Sequence, residues 1–281
     1  MDRVRCILQK HFPKTEWNIS LPDDGQHRAS YIAQSEKEQV FIKFNVPIDA
    51  LQRLGEIEVA PRVLASGICD DMPYIVQKYI TGRYPAWRWF ALHLPFLASF
   101  MRRYHDDDQL TSFLSNTMTT NYHDHVALDM STIEKQFWSL DADVLHIPEI
   151  VSAFENLKNQ AQHLHPTQLV PVHPDPNTKN MLLVDTRLMM VDWDNLQLSD
   201  PMRDAGQLLW WYVSPQQWPE FFQAYGIRVD KYLIDRIYWW AARTSFAIAL
   251  WHVEHGYDCT AFLQDFVAAL NKGSNPHAVF R

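Results

Sequence analysis

The sequence predicts an α+β chain, with a small β-rich unit followed by a larger, mainly helical one. Three observations carry that expectation. Runs of β-branched and aromatic residues, broken by turn residues, dominate the first 80 positions. From Pro85 onward, apolar residues recur at helical spacing. Three short β-type runs then interrupt the helices between 169 and 193. The boundary is expected between 1–80 and 81–281, with a connector near 77–84.

The first unit reads as follows. Arg28–Gln34 and Gln39–Asn45 are β-rich and separated by the polar Ser35-Glu36-Lys37-Glu38, a hairpin pattern. A short helix follows with Leu51 and Leu54 on one face. Ala60–Ser66 and Met72–Tyr79 are two further strands, parted by Gly67 and Asp70-Asp71. In the second unit, 86–104 is expected as one helix kinked at Pro95, 106–132 as a polar loop, and 146–163 as a helix. Leu169–His173, Met181–Asp185 and Leu188–Trp193 are the three β-type runs. Helical patterns resume at 203–213, 216–225, 230–254 and 258–271.

Composition narrows the chemistry. The 281 residues include eight Gly and eleven Trp, where average usage would give roughly 20 Gly. The glycines are scattered singly, so neither G-x-G-x-x-G nor G-x-x-x-x-G-K-[ST] occurs. Sites that bring clustered backbone N–H groups onto phosphates are thereby excluded. A hydrophobic fraction of 47% supports a large core. A net charge of −8 argues against a nucleic-acid partner, which would need a basic surface. Cys6, Cys69 and Cys259 form no framework or CxxC pair, which points to a reducing compartment. The charged start and the interruption of Ile237–Trp251 by Arg243 predict no leader and no membrane span. A soluble, cytoplasmic protein is expected. Nothing in the sequence reads on oligomeric state.

The chemistry is concentrated at 172–194. His173-Pro174-Asp175-Pro176-Asn177-Thr178-Lys179-Asn180 contains H-x-D-x-x-x-x-N, the spacing of a kinase catalytic loop. With 13 His, 23 Asp and 11 Asn in the chain, roughly 0.04 chance occurrences are expected, so the match is informative. In such a loop the Asp takes the acceptor hydroxyl proton and the Asn binds Mg²⁺. Twelve residues after Asn180, Val191-Asp192-Trp193-Asp194 supplies a second carboxylate, Asp192, of the hard-oxygen type that Mg²⁺ accepts.

Together with Asp200-Pro201-Met202-Arg203-Asp204-Ala205, these motifs resemble the aminoglycoside phosphotransferase/choline kinase superfamily, with thiamine kinase-like members similar. Its members show H-G-D-x-x-x-x-N, then I-D-W-E, then D-P-x-x-D-L-A. The resemblance extends to Val40-Phe41-Ile42-Lys43-Phe44, Ala60-Pro61-Arg62-Val63-Leu64, Tyr74–Gly82 and Tyr104-His105, covering about residues 25–215. It implies a protein kinase-like two-lobed fold, with nucleotide bound by the first lobe and catalysis and acceptor binding in the second. It implies ATP as donor (GTP left open) and Mg²⁺ as cofactor. The expected acceptor is a small cationic alcohol, aminoglycoside-, choline- or thiamine-like. Asp175 would be the catalytic base, and Asn180 and Asp192 the metal ligands. Lys43 would neutralise the phosphates, while the backbones of Lys78 and Ile80 would pair with adenine. His173 is expected to pack rather than react, and Asp204 to brace the catalytic loop or cap a helix.

The chain departs from the family pattern in three places. Pro174 stands where Gly is usual, and the nucleotide loop Asp23–Arg28 holds one Gly. The family's ion-pairing Glu falls near Pro47, leaving Asp49 or Glu56 as substitutes. Those departures motivate the alternative of a weak or inactive kinase-like binding protein. A protein kinase is disfavoured, since no D-F-G or A-P-E segment is present. His123-Asp124-His125 and His252-x-x-His255 read as ordinary polar or surface histidines. Trp210-Trp211-Tyr212 and Tyr238-Trp239-Trp240…Trp251 read first as core, with an aromatic cage as the sharper option. Asp194, Asp230, Asp235 and Glu254 are the acids that could meet acceptor amines.

Overall fold

The computed structural model describes residues 1–22 and 29–278, so the expected nucleotide loop at Asp23–Arg28 lies outside the described residues. In chain order the first elements are α1 (Asp2–His11), β1 (Asn18–Ser20), β2 (Ser30–Gln34), β3 (Gln39–Phe44), α2 (Ile48–Glu56), β4 (Val63–Cys69) and β5 (Met72–Lys78). Helices α3 (Trp87–Leu92), α4 (Leu94–His105), α5 (Asp108–Ser115), α6 (Tyr122–Ser139) and α7 (Pro148–Ala161) follow. Next come β6 (Val170–Val172), β7 (Met181–Val184), β8 (Arg187–Met190) and β9 (Gln197–Ser199). The chain ends in α8 (Met202–Tyr212), α9 (Trp218–Tyr225), α10 (Lys231–Glu254) and α11 (Thr260–Leu270). The residues group into two compact units.

The first unit comprises 1–84, 108–113 and 179–194. Its antiparallel sheet has the order β1-β2-β3-β5-β4. Alternate residues of β3 (Val40, Ile42, Phe44) pack with Val4, Ile7 and Leu8 of α1 in one core. That face assignment leaves Phe41 and Lys43 on the other side of the sheet. The β7–β8 hairpin, read from sequence as an insertion in the helical part, belongs to this unit. Met190 N–H donates to Val59 C=O at 2.8 Å, and Leu183 exchanges both backbone bonds with Arg83.

The second unit comprises 85–107, 114–178 and 195–278 of the described residues. Its core is aromatic: Phe137 meets Phe154 at 4.7 Å between ring centroids, and Phe246 meets Phe266 at 4.6 Å. Trp239 and Trp240 are fully buried, in line with the core-filling expectation. Buried charges are matched rather than isolated. Asp129 takes both nitrogens of one edge of Arg243 and also Arg203 Nη1 at 3.0 Å. Burial pushes the Asp129 carboxyl up, but the two guanidiniums outweigh it and hold the group below the usual carboxylate range.

Several expectations need correction. The single kinked helix at 86–104 is two helices, α3 and α4, broken at His93; Pro95 sits in the first turn of α4, where its missing N–H costs nothing. The loop expected at 106–132 holds α5 and the start of α6. Asn121 caps α6 by accepting Asp124 N–H at 3.0 Å, and the buried face is Tyr122, His125, Val126, Met130, Ile133 and Phe137. Polar and aromatic members hide that helical stripe from an apolar count. His125 is accordingly not at the surface: it is 7% exposed and lies 2.7 Å from Ser199 Oγ. Helix α1 and the three-residue strands β1 and β9 have no counterpart in the sequence pattern.

Burial, and then the charge of Arg203, lower the His125 pKa from 6.5 to about 4. The folded state therefore favours the neutral ring, and its contribution to stability is complete above pH 6.5 and fades as the pH falls towards 4. That contribution amounts to up to roughly 3 kcal/mol. Urea unfolding between pH 7 and pH 4.5 should show a shallower loss of stability for His125→Gln than for the wild type. Identical slopes would contradict this assignment.

Candidate active site

Hairpin β7–β8 places two of the expected site residues next to each other. Its register pairs Met181 with Met190 and Val184 with Arg187. One step beyond the strands, Val191 N–H donates to Asn180 C=O at 2.9 Å. A separation of twelve residues therefore becomes adjacency across a two-stranded ladder. Past Val191 the backbone enters the left-handed region at Asp192 (φ 64). The turn is pinned by the buried Trp193, whose indole N–H donates to Met190 C=O at 2.9 Å. Asp192 remains 58% exposed in its side chain.

Lys43 reaches this turn from β3. Its Nζ lies 3.3 Å from Asp192 Oδ1 and forms a closer ion pair with Asp194 Oδ1. The Lys43 and Asp194 side chains are only 11% and 17% exposed. Asp194, read from sequence as an acid that could meet acceptor amines, is instead a partner of Lys43. The other acids of that group also have partners: Asp230 caps α10, Asp235 pairs with Lys231 and Lys272, and Glu254 accepts from Gln136. The acids of α2 do not reach Lys43 among the described residues: Glu56 pairs with Arg53, and Asp49 is exposed.

Lys78 and Ile80 lie at the end of β5 and just beyond it. Tyr79 N–H donates to Gln39 C=O, which makes Val40 and Lys78 a non-hydrogen-bonded pair and turns the Lys78 backbone away from β3. Lys78 N–H is taken by Arg62 C=O at 3.0 Å. No hydrogen bond engages Ile80 N–H among the described residues. Gly82 then allows the chain to pass β7, since a Cβ there would stand 2.9 Å from Leu183 O.

In the second unit, β6 leads into the loop bearing Asp175. β6 pairs with β9, and His173 just after it is buried. Asp204, fully buried on α8, accepts His173 N–H at 2.8 Å and Tyr104 O–H at 2.9 Å on one oxygen, with His105 Nε2 at 3.4 Å. Burial, then the Asp204 charge, push the Tyr104 hydroxyl far above its usual pKa, so it stays a donor. The neighbouring Asp200 accepts Met202 N–H at 2.8 Å at the start of α8 and Tyr122 O–H at 3.0 Å. Asp175 N–H donates to His173 Nδ1 at 3.3 Å, and Asn177 Nδ2 donates to Asp175 Oδ1 at 2.8 Å. At the end of α8, Tyr212 stacks on Phe90 with centroids 4.9 Å apart and hydrogen-bonds Thr178. Sequence reasoning grouped Tyr212 with the core aromatics; its spacing from the D-P-x-x-D motif was the available signal.

The ladder sets the Asn180 backbone opposite Val191, one residue before the exposed carboxylate of Asp192; amide and carboxylate oxygens are hard donors, the type Mg²⁺ takes in preference to a softer metal. Among the described residues no group of three or more His, Cys, Asp or Glu could hold a metal ion; His252 Nδ1 lies 2.7 Å from Asp258 C=O and His255 Nδ1 2.8 Å from Trp251 C=O.

A strand lysine meeting acids on a β-hairpin, and a buried aspartate fastening an H-x-D loop, define a kinase-like fold. The chain belongs to the phosphotransferase enzyme family (APH), whose family model matches residues 48–240. Solved structures share the fold. Choline kinase LicA from Streptococcus pneumoniae superposes with a TM-score of 0.69 at 15% identity, covering 97% of this chain and all of that one. APH(4)-Ia, in a ternary complex with ADP and hygromycin B, gives 0.69 at 15% identity over 96% and 99% of the two chains. APH(2")-IIia, in complex with GDP and kanamycin, gives 0.65 at 15% identity over 97% and 98%. Among the described residues no helix is long and apolar enough to cross a membrane.

The loop around Asp175 depends on Asp204. Asp204→Ala would leave a backbone N–H and a phenol unpaired in the interior, a cost of about 2–4 kcal/mol. Chemical denaturation should show that loss, with Tyr104→Phe costing clearly less; a loss below about 1 kcal/mol for the alanine variant would contradict the bracing role.

Proposed function

We propose that this protein is a small-molecule kinase, transferring the γ-phosphoryl group of ATP to a hydroxyl of a small cationic acceptor. The observation that carries this reading is Lys43 converging on the Asp192 turn beside Asn180, in a chain whose family is built on phosphoryl transfer. Lys78 C=O would accept from the adenine amino group and Ile80 N–H would donate to the ring nitrogen next to it. Guanine presents the reverse pattern at those two atoms.

Asn180 and Asp192 would hold Mg²⁺, which supplies charge neutralisation on the phosphates and a template for in-line transfer. Lys43 places its ammonium against the non-bridging phosphate oxygens. Asp175, its carboxylate oriented by Asn177, orients the acceptor hydroxyl and takes its proton. The acceptor oxygen forms its bond to the γ-phosphorus as the bond to the β-γ bridging oxygen breaks and ADP departs. Positioning and electrostatics, rather than a covalent intermediate, supply the acceleration. The solved relatives carry kanamycin or hygromycin B, or are named for choline, and all three compounds are cationic alcohols. The net charge of −8 is compatible with such a ligand.

Asp175→Asn should lower kcat at least about 100-fold, in the range expected for losing a positioned base. The stabilisation of the fold by Mg·ATP in a thermal-shift assay should persist, because nucleotide binding uses other residues. Near-wild-type turnover would overturn the assignment.

A further inference from the structure

Lys43 raises a question of charge. An ammonium that is nine-tenths buried needs a permanent counter-charge, or it becomes costly to keep there. In the family pattern that counter-charge is a Glu on the helix after the lysine strand, but here the corresponding position is close to Pro47, outside α2 as its N-cap. The two acids that α2 does carry are exposed, and Glu56 is already bonded to Arg53.

Resting on the function proposed above, we infer that Asp194 is the positioning residue for Lys43. The two acids of Val191-Asp192-Trp193-Asp194 differ in environment, and that difference divides their roles. Asp192 stands at the left-handed turn, open to solvent, and touches Lys43 only at 3.3 Å. Asp194 is shielded and holds the ammonium more closely. Between them, Trp193 is locked by burial and by its bond to Met190 C=O, so neither acid can exchange places with the other without undoing that anchor. When Asp192 is engaged by a cation, Lys43 still has a carboxylate that keeps its Nζ in place. The helix acid is thus replaced by one from the hairpin, and the positioning of Lys43 becomes independent of α2.

Two readouts test this. In the ligand-free protein, amine acylation followed by peptide mass spectrometry measures how freely Lys43 moves and reacts. Asp194→Asn should speed modification of Lys43 by about fivefold, with Lys158 in the other unit unchanged as the internal control. In turnover assays, Asp194→Asn should lower kcat/KM for ATP at least about tenfold, yet add little to the defect of Lys43→Met, because both act through one ammonium. Asp194→Glu should recover part of the loss, and it also serves if the asparagine variant does not fold. Unchanged labelling, or fully additive losses in the double variant as a separate metal ligand would give, overturns the role of Asp194. A wild type that neither binds nor turns over Mg·ATP overturns the proposed function, and this role with it.

Discussion

A carboxylate removed from water is costly unless donors meet it, and in the second unit three groups meet Oδ2 of Asp204, while its Oδ1 has no hydrogen-bond partner among the described residues. Asp204 on α8 gathers the His173 backbone, the Tyr104 phenol and the His105 ring on a single oxygen. Burial and the Asp204 charge hold the phenol's pKa well above its usual value, so Tyr104 stays a donor to this carboxylate. This contact joins three segments far apart in sequence and fixes the start of the loop in which Asp175 sits. Asp200, four residues earlier, anchors the start of the same helix. The D-P-x-x-D motif thus has a structural reason: its first acid accepts the N–H of the first residue of α8, and its second holds the start of the loop bearing Asp175.

The first unit solves a different problem with the same logic. Lys43 lies on the sheet face away from α1, and its charge would be expensive there alone. Hairpin β7–β8 brings an acid pair to it, and the register of that hairpin also sets Asn180 next to Val191. One small piece of antiparallel sheet therefore sets the Asn180 and Val191 backbones together and leads directly into the two acids that meet Lys43. Such precision is easier on a ladder than on a free loop, since a one-residue slip would turn every side chain to the opposite face.

The motif residues were legible because their spacing is fixed by backbone geometry. Asp175 and Asn180 follow from loop length, and Asp192 follows from the hairpin. The long helices α8 and α10 and the central strands β3 and β5 were legible for the same reason, each having a clear period or a continuous β-type run. Other features depend on contacts that no local pattern reveals. Helix α6 buries His125 and Tyr122 in a stripe that an apolar count reads as polar, and β1 and β9 are too short to show alternation. The sequence offers Asp49 and Glu56 as partners for Lys43, but in the fold Lys43 pairs with Asp194, 151 residues away in sequence. Pairing across such a distance is decided by tertiary packing, not by propensity.

Phosphoryl transfer to a small cationic alcohol can be followed by ³¹P NMR of the protein with Mg·ATP and a panel of aminoglycosides, choline, ethanolamine and thiamine. With at least one acceptor the γ-phosphate signal should be replaced, in equal amount, by a phosphomonoester and ADP. ATP that stays intact with every acceptor, or that yields only inorganic phosphate, would contradict it.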